Sequence, residues 1–352
     1  MKIVILGGHG AFGGRLTRLL IQAGHDVVVA GRDCRRAAAF ARQYGGEPLA
    51  LDLHGDLAPI AVAAPDLVVD AAGPFQAYAD APYRVARFCI EAGINYIDFS
   101  DDSAFTAGIA QLNDAAVAAG RFALSGVSSV PAISAAAVAA LSLRLSEVIV
   151  IETAILPGNR APRGRSVVAS ILHQAGAPLM LWRGGTWQRH LGWTDPRRIS
   201  LTHGRTRWAN LIGAPGPDPV SRRIRREVRA VPRRAGTERD ALGTVALGLS
   251  PRQRCAPTAA TADRQSAMDV EAARTLRQRP GRHDRRGGWQ GWRRRRWQLI
   301  AEEGSGPFVP AIPALAIANK MPDIAPGARP CLHDLSLSEI EWATASLPIR
   351  FS

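Results

Sequence analysis

Three glycines near the start of the chain, Gly8, Gly10 and Gly13, stand in the order G-x-G-x-x-G. Glycine lets bare backbone approach an anion, and this spacing suits a pyrophosphate. The first glycine makes the turn, the second admits the phosphates, and the third lets a helix pack closely on a strand. The unpaired N–H groups of the helix start would then hold the phosphates, with His9, Ala11 and Phe12 filling out the loop. His9 reads as a filler of that loop rather than a catalyst.

Such a loop needs a strand before it and a helix after it. Ile3 to Leu6 is apolar and rich in β-branched residues, and Leu16, Leu19 and Leu20 repeat at helical spacing. A second apolar strand, 27–30, ends at Gly31-Arg32-Asp33. Arg32 lies 19 residues beyond Gly13, where a fold of this kind reads the adenosine ribose. An acid there accepts the 2′-hydroxyl of NAD, whereas an arginine offers a planar donor fork to the 2′-phosphate of NADP. The expected cofactor is therefore NADP rather than NAD. The alternative for Arg32 is a solvated loop charge beside Arg35 and Arg36.

Further elements alternate in type. A helix is expected over 35–44, a short strand over 47–53, a buried strand over 66–72 that leaves the sheet at Gly73-Pro74, a helix over 81–93, a strand over 95–100, a helix over 105–120 and a strand from 122. Asp52, at the end of the third strand, is placed either to accept from the adenine amino group or to hold a turn. Strands alternating with helices indicate an α/β fold, a doubly wound parallel sheet of the Rossmann type, with Ala72, Gly73 and Pro74 also beside the cofactor.

These residues resemble the saccharopine dehydrogenase-like oxidoreductases through their NADP-binding domain. The resemblance rests on Gly7-Gly-His-Gly-Ala-Phe-Gly13, Ala30-Gly-Arg32, Asp70-Ala-Ala-Gly-Pro-Phe75, Tyr96-Ile-Asp98 with Ser100, and Gly126 to Pro131, in that order. It implies an NADP-binding domain over 1–134. More loosely it covers 135–212 and 297–352, a second, α+β domain for substrate or dimerisation whose C-terminal part packs back on the first. It implies a cofactor more firmly than a substrate.

The formal charge of +14 is concentrated in one place. From Ser221 to Trp297 there are 21 arginines, no lysine and seven acids, while basic and acidic residues balance elsewhere. Leu, Ile, Val and Phe make up nine of these 77 residues, too few for a charged chain to form a core. The segment 213–296 is thus expected to be irregular. Three origins stand: a disordered insertion, a basic arm for nucleic acid in which Trp289, Trp292 and Trp297 flank Arg293 to Arg296, or residues translated out of frame. The third is preferred, because shifted frames of GC-rich coding DNA yield arginine, alanine, glycine and proline. Nucleic acid is the least favoured partner.

Cys34, Cys89, Cys255 and Cys331 form no C-x-x-C pair, so no zinc site or disulfide framework is expected. The start of the chain is a strand rather than a leader, and the longest apolar run carries Arg144 and Glu147, so a cytoplasmic protein without a membrane span is expected. Trp182, Trp187, Trp193 and Trp208 interleave with arginines, either as a pocket for an anionic substrate or as a half-buried sheet face.

In open parallel sheets the ligand lies beyond the carboxyl ends of the strands. That position selects Asp98, Asp101 and Ser128 as candidate acid, base or donor groups, each also open to a structural role. Three functions compete: an NADP-dependent oxidoreductase of a small molecule, with or without impaired turnover; a non-catalytic NADP sensor; and a nucleic-acid binder acting through 221–297.

Overall fold

The computed structural model describes residues 1–75, 78, 81–143, 150–158, 168, 172–183, 186–201, 206–213, 242–247, 266–275 and 292–352. The chain divides into two units, Met1–Ile133 with Ala161–His173 and Pro307–Leu347, and Ser134–Arg160 with Gln174–Gly306 and Pro348–Ser352.

The first unit is built on a parallel sheet. Its strands are β1 (Lys2–Leu6), β2 (Asp26–Gly31), β3 (Glu47–Ala50), β4 (Leu67–Asp70), β5 (Asn95–Asp98), β6 (Phe122–Ser125) and β15 (Gly327–Pro330). They lie in the order β15-β6-β5-β4-β1-β2-β3. Ile3, Val4, Ile5, Val29, Leu67, Val68, Ile97 and Leu124 are fully or almost fully buried, which explains why these strands read as unbroken apolar runs: helices cover both faces. The chain order reverses direction at β1, with β2 on one side and β4 on the other, so a crevice opens between the carboxyl ends of β1 and β4.

Helix α1 (Gly13–Gln22) buries Leu16, Leu19 and Leu20, and α2 (Cys34–Tyr44) is capped by Asp33, whose Oδ1 accepts from Arg36 N at 3.0 Å. After α3 (Ala58–Val62) and α4 (Arg84–Glu91), the single helix expected over 105–120 is broken into α5 (Ser103–Gly108), a 3₁₀ turn (Ile109–Leu112) and α6 (Asn113–Ala118). The cause is Tyr83. Its hydroxyl donates to the Phe105 carbonyl at 2.6 Å, and a Cβ on Gly108 would lie 2.3 Å from the same oxygen. That carbonyl would otherwise accept the next helical bond.

The stretch 307–347 completes this unit. β15 pairs in parallel with β6, from Gly327 opposite Phe122 to Pro330 opposite Ser125. Among the later helices, Ile312–Asn319 (here α8) buries Ile312 to Ala318 and packs on α1, while Leu337–Ala343 (here α9) opens with a capping box between Ser336 and Glu339.

The second unit contains α7 (Ser134–Ser142) and a mostly antiparallel sheet, in the order β10 (Arg197–Ser200), β11 (Thr206–Leu211), β12 (Leu242–Leu247), β7 (Val150–Leu156), β13 (Ser266–Thr275), β14 (Trp292–Ala301) and β16 (Ile349–Phe351). β8 (Pro178–Arg183) pairs with β12 and with β9 (Thr186–Leu191).

Where the composition of 213–296 predicts no regular structure, the described residues form β12, β13 and the first part of β14. Local pattern overrides the average: in Ala267-Met-Asp-Val-Glu271 apolar and acidic residues alternate with period two. β13 sits between β7 and β14 along its length. The rest of the segment lies outside the described residues. So does most of 164–174, of which 168 and 172–174 are helical.

Candidate functional site

The glycine loop between β1 and α1 is held from within. Gly7 N and Gly8 N both donate to the Ala30 carbonyl, at 2.9 and 3.1 Å, and Gly10 N donates to the Gly7 carbonyl at 2.8 Å. The buried Thr17 hydroxyl shares its proton between the carbonyls of Gly8 (2.9 Å) and Gly13 (3.0 Å). The turn is made by Gly7, at φ +71°, and not by Gly8 as the motif spacing suggests. Gly8 is needed for another reason: a Cβ there would come within 2.9 Å of the Ile5 carbonyl and 3.2 Å of the Val29 Cα. Gly13 has the packing task, since its Cβ would stand 2.2 Å from the Gly7 carbonyl oxygen.

Gly10 differs from both. It is exposed, and within 4 Å a Cβ there would meet only the Gly7 backbone, at 3.0 Å. Helix α1 begins beside it, at Phe12, with no side-chain cap and no acid in its first turn. An uncapped, positively polarised helix end behind bare backbone fits a phosphate group.

The loop touches the neighbouring strand ends. A Cβ on Gly7 would lie 3.0 Å from both the Ala71 carbonyl oxygen and the Ala72 Cα, so the stretch 71–74 stands directly beside the glycines. Gly73–Pro74 is a cis peptide. On the other side, the His9 ring lies over Gly31 at the end of β2. Burial, and after it the Arg36 guanidinium, push the His9 imidazole below its ordinary value, while Asp33 opposes them. Arg32 follows Gly31 and is exposed. Asp52 is exposed, and its Oδ1 accepts from His54 N at 3.1 Å, a turn contact.

The last residues of β4 and β5 are two carboxylates, Asp70 and Asp98. Asp98 Oδ1 accepts from Ser100 N, Ser125 Oγ and Gly126 N, each at 2.9 Å. Its Oδ2 is buried and has no partner among the described residues. Burial pushes the Asp98 carboxyl up to about 7, against those three donors. Asp70 is likewise buried and pushed up to about 6; Ala72 N donates to its Oδ1, and the Tyr78 hydroxyl sits 3.0 Å from both its oxygens. Phe75, Tyr78, Tyr83 and Phe105 form an aromatic cluster beside them, with centroids 4.8 to 5.8 Å apart.

The other catalytic candidates are less enclosed. Asp101 is exposed, and Ser128 is partly buried in a loop whose Gly126, at φ +75°, packs so closely that a Cβ would lie 2.5 Å from Pro131 Cδ. The structure thus brings Asp98 and the 125–131 loop together through the Gly126 contact. Sequence reasoning missed Asp70, Tyr78 and Thr17 as parts of this region. Only Asp70 carried a signal, an acid closing the apolar run Leu67-Val-Val.

In the second unit, Arg197 pairs with Glu152 at 2.8 Å and Asp195 at 3.1 Å, and the Arg198 guanidinium lies 5.8 Å from the ring centre of Trp208, which is half exposed. The side chains of Trp182 and Trp187 lie outside the described residues. Trp297 is buried and stacked on Phe351 at 5.8 Å. Among the described residues no helix is long and apolar enough to cross a membrane.

Comparison with known proteins places this geometry. Residues 3–124 match the family described as the saccharopine dehydrogenase NADP binding domain. The structure is similar to apo saccharopine dehydrogenase (L-Glu forming) from Saccharomyces cerevisiae, at 12% identity and a TM-score of 0.61, over 100% of this chain and 99% of that one. It is more distantly similar to a probable dehydrogenase from Thermotoga maritima (11% identity, TM-score 0.47, 97% and 93% of the two chains). GenD2 from gentamicin A biosynthesis, in complex with NAD, stands at 14% identity and a TM-score of 0.44, over 97% and 90% of the chains. No curated protein matches the sequence. Residues 3–124 are thus similar to the saccharopine dehydrogenase NADP binding domain.

Proposed function

We propose that the chain is an NADP-dependent oxidoreductase of the saccharopine dehydrogenase type acting on a small molecule. The observation that carries this reading is the open backbone at Gly10, set at the uncapped start of α1 beside the β1/β4 crevice. The pyrophosphate would lie against Gly8, His9, Gly10, Ala11, Phe12 and Gly13, the adenosine ribose near Arg32 and Asp52, and the nicotinamide end towards Ala72, Gly73 and Pro74. When bound, the nicotinamide supplies the hydride, and the protein supplies position and charge. Arg32 makes NADP the preferred form over NAD. We propose that the cofactor is held by residues 1–134, in a unit whose sheet is completed by 307–347, with substrate handled by residues of the second unit.

A second reading, NADP binding with impaired or absent turnover, is favoured by the state of Asp98. A carboxyl closed to water and tied to three donors on one oxygen is built to hold the 125–131 loop, which leaves Asp101 and Ser128 as the accessible candidates. An out-of-frame origin for part of 213–296 would act in the same direction. The nucleic-acid reading loses one of its stacking rings, because Trp297 is buried against Phe351.

The test has two arms. Fluorescence titration with NADPH and NADH measures binding, and NADPH oxidation against a panel of imine, keto-acid and aldehyde substrates measures turnover. Absence of NADPH binding defeats both readings; binding without oxidation of any substrate selects the second.

A further inference from the structure

The glycine loop contains a buried polar atom without a hydrogen-bond partner among the described residues. His9 Nδ1 is buried and accepts or donates no hydrogen bond among the described residues. The ring lies in the space that Gly31 leaves open: a Cβ built there would stand 2.4 Å from its Cε1 and 3.0 Å from Nδ1. A residue that merely filled the loop would be better served by an apolar ring, because a buried nitrogen without a partner loses its hydrogen bond to water and gains nothing in return.

The position of the ring says what the partner is. His9 belongs to the phosphate loop, Gly31 ends the strand whose next residue is Arg32, and Asp33 and Arg36 open α2 beside it. The adenosine ribose of a dinucleotide lies between those two segments. Resting on the cofactor reading above, we infer that His9 is a specificity-determining residue: its Nδ1–H donates to the 2′-phosphate of NADP, sharing that group with Arg32. An imidazole and a guanidinium approaching from the two sides of the ribose give one anion two charge-assisted donors. The Asp33 carboxylate, whose charge also acts on His9, has its Oδ1 held as the cap of α2 by Arg36 N.

Two variants separate recognition from filling. His9→Phe keeps a ring over Gly31 and removes the nitrogen; His9→Asn loses the ring but returns an amide donor near the place of Nδ1. In fluorescence titrations of the full chain, His9→Phe should weaken NADPH by roughly ten-fold while NADH changes less than about three-fold, the loss expected for one hydrogen bond to a charged group. His9→Asn should recover most of the preference. Competition by 2′,5′-ADP should weaken in parallel with NADPH, because that probe has the phosphate and lacks the nicotinamide.

Retained NADH binding reports that the variant is folded. An unchanged NADPH-to-NADH preference in His9→Phe overturns the inference and leaves His9 as a filler, and equal loss of both cofactors overturns it as well. Failure of the wild-type chain to bind NADPH is a different result, since it removes the cofactor reading itself.

Discussion

Asp70 and Asp98 stand opposite each other in register on the adjacent parallel strands β4 and β5, and both are fully buried. Burial disfavours the charged form of each, and the Asp70 charge adds a smaller push on Asp98, so the two carboxyls are held at about 6 and about 7 instead of the ordinary 3.8. The Tyr78 hydroxyl across Asp70 and the three donors on Asp98 Oδ1 oppose this without cancelling it.

The sign of the consequence follows from linkage. Both folded-state values lie above the unfolded one, so the fold binds protons more tightly than the unfolded chain does between about pH 4 and pH 7. The stabilisation is complete below the unfolded value and is lost as pH rises through 6 and 7. Asp98→Asn removes one proton from this exchange while keeping an acceptor for Ser100 N, Ser125 Oγ and Gly126 N. Its stability relative to wild type should rise with pH across that window, by up to about 1.4 kcal/mol per pH unit. Urea melts at pH 4.5, 6 and 8 measure it. A constant difference would show that Asp98 does not titrate there.

The second and third glycines of the motif should fail in different ways. Gly10→Val places a side chain where the pyrophosphate approaches the backbone, so cofactor binding should disappear while the thermal transition stays cooperative. Gly13→Ala drives a methyl group to 2.2 Å from the Gly7 carbonyl oxygen, so it should lower the melting temperature by several degrees before any ligand is added. If Gly10→Val binds NADPH as wild type does, the glycines are only a tight turn.

Arg32 and the cofactor preference are tested by one substitution. Arg32→Ala removes an exposed guanidinium at the end of β2, and a charge-assisted contact is worth about 1.5 to 3 kcal/mol. NADPH should weaken by roughly ten-fold or more and NADH should hardly change, as read by parallel titrations. Equal losses would mean that Arg32 does not distinguish the two.

What the sequence revealed and what it hid divide along one physical line. Strands β1, β2, β4 and β6 were legible because burial on both faces demands apolar runs, and the glycine loop because its backbone geometry admits little else. The break in the expected 105–120 helix was not legible: it depends on the Tyr83 hydroxyl, 22 residues away, reaching the Phe105 carbonyl. β15 was hidden for a similar reason. Gly327-Ala-Arg-Pro330 has no β-branched residue, and only the exposed edge of β6 makes it a strand. In β13 the alternation of Met268 and Val270 with Asp269 and Glu271 was present but lost in an average over a long arginine-rich segment. The buried Nδ1 of His9 carries no sequence signal, because its burial against Gly31 is a product of the fold.

That hidden strand changes what a minimal cofactor-binding fragment must contain. A piece ending near residue 134 keeps every motif of the phosphate loop, yet it exposes the open edge of β6 and the surface of α1 that α8 covers. Ile312 to Ala318 of α8 are all buried, and Cys331 N donates to the Ser125 carbonyl at 2.9 Å just past β15. An unpaired apolar strand edge is a template for association with other chains. Residues 1–134 expressed alone should therefore aggregate or melt well below the full chain. The same residues joined by a glycine-serine linker to 307–347 should give one cooperative melt and bind NADPH. Circular dichroism and fluorescence titration on the two fragments decide the matter: if the shorter one is equally stable and binds as well, the C-terminal strand and helix are ornaments of the first unit and not part of its fold.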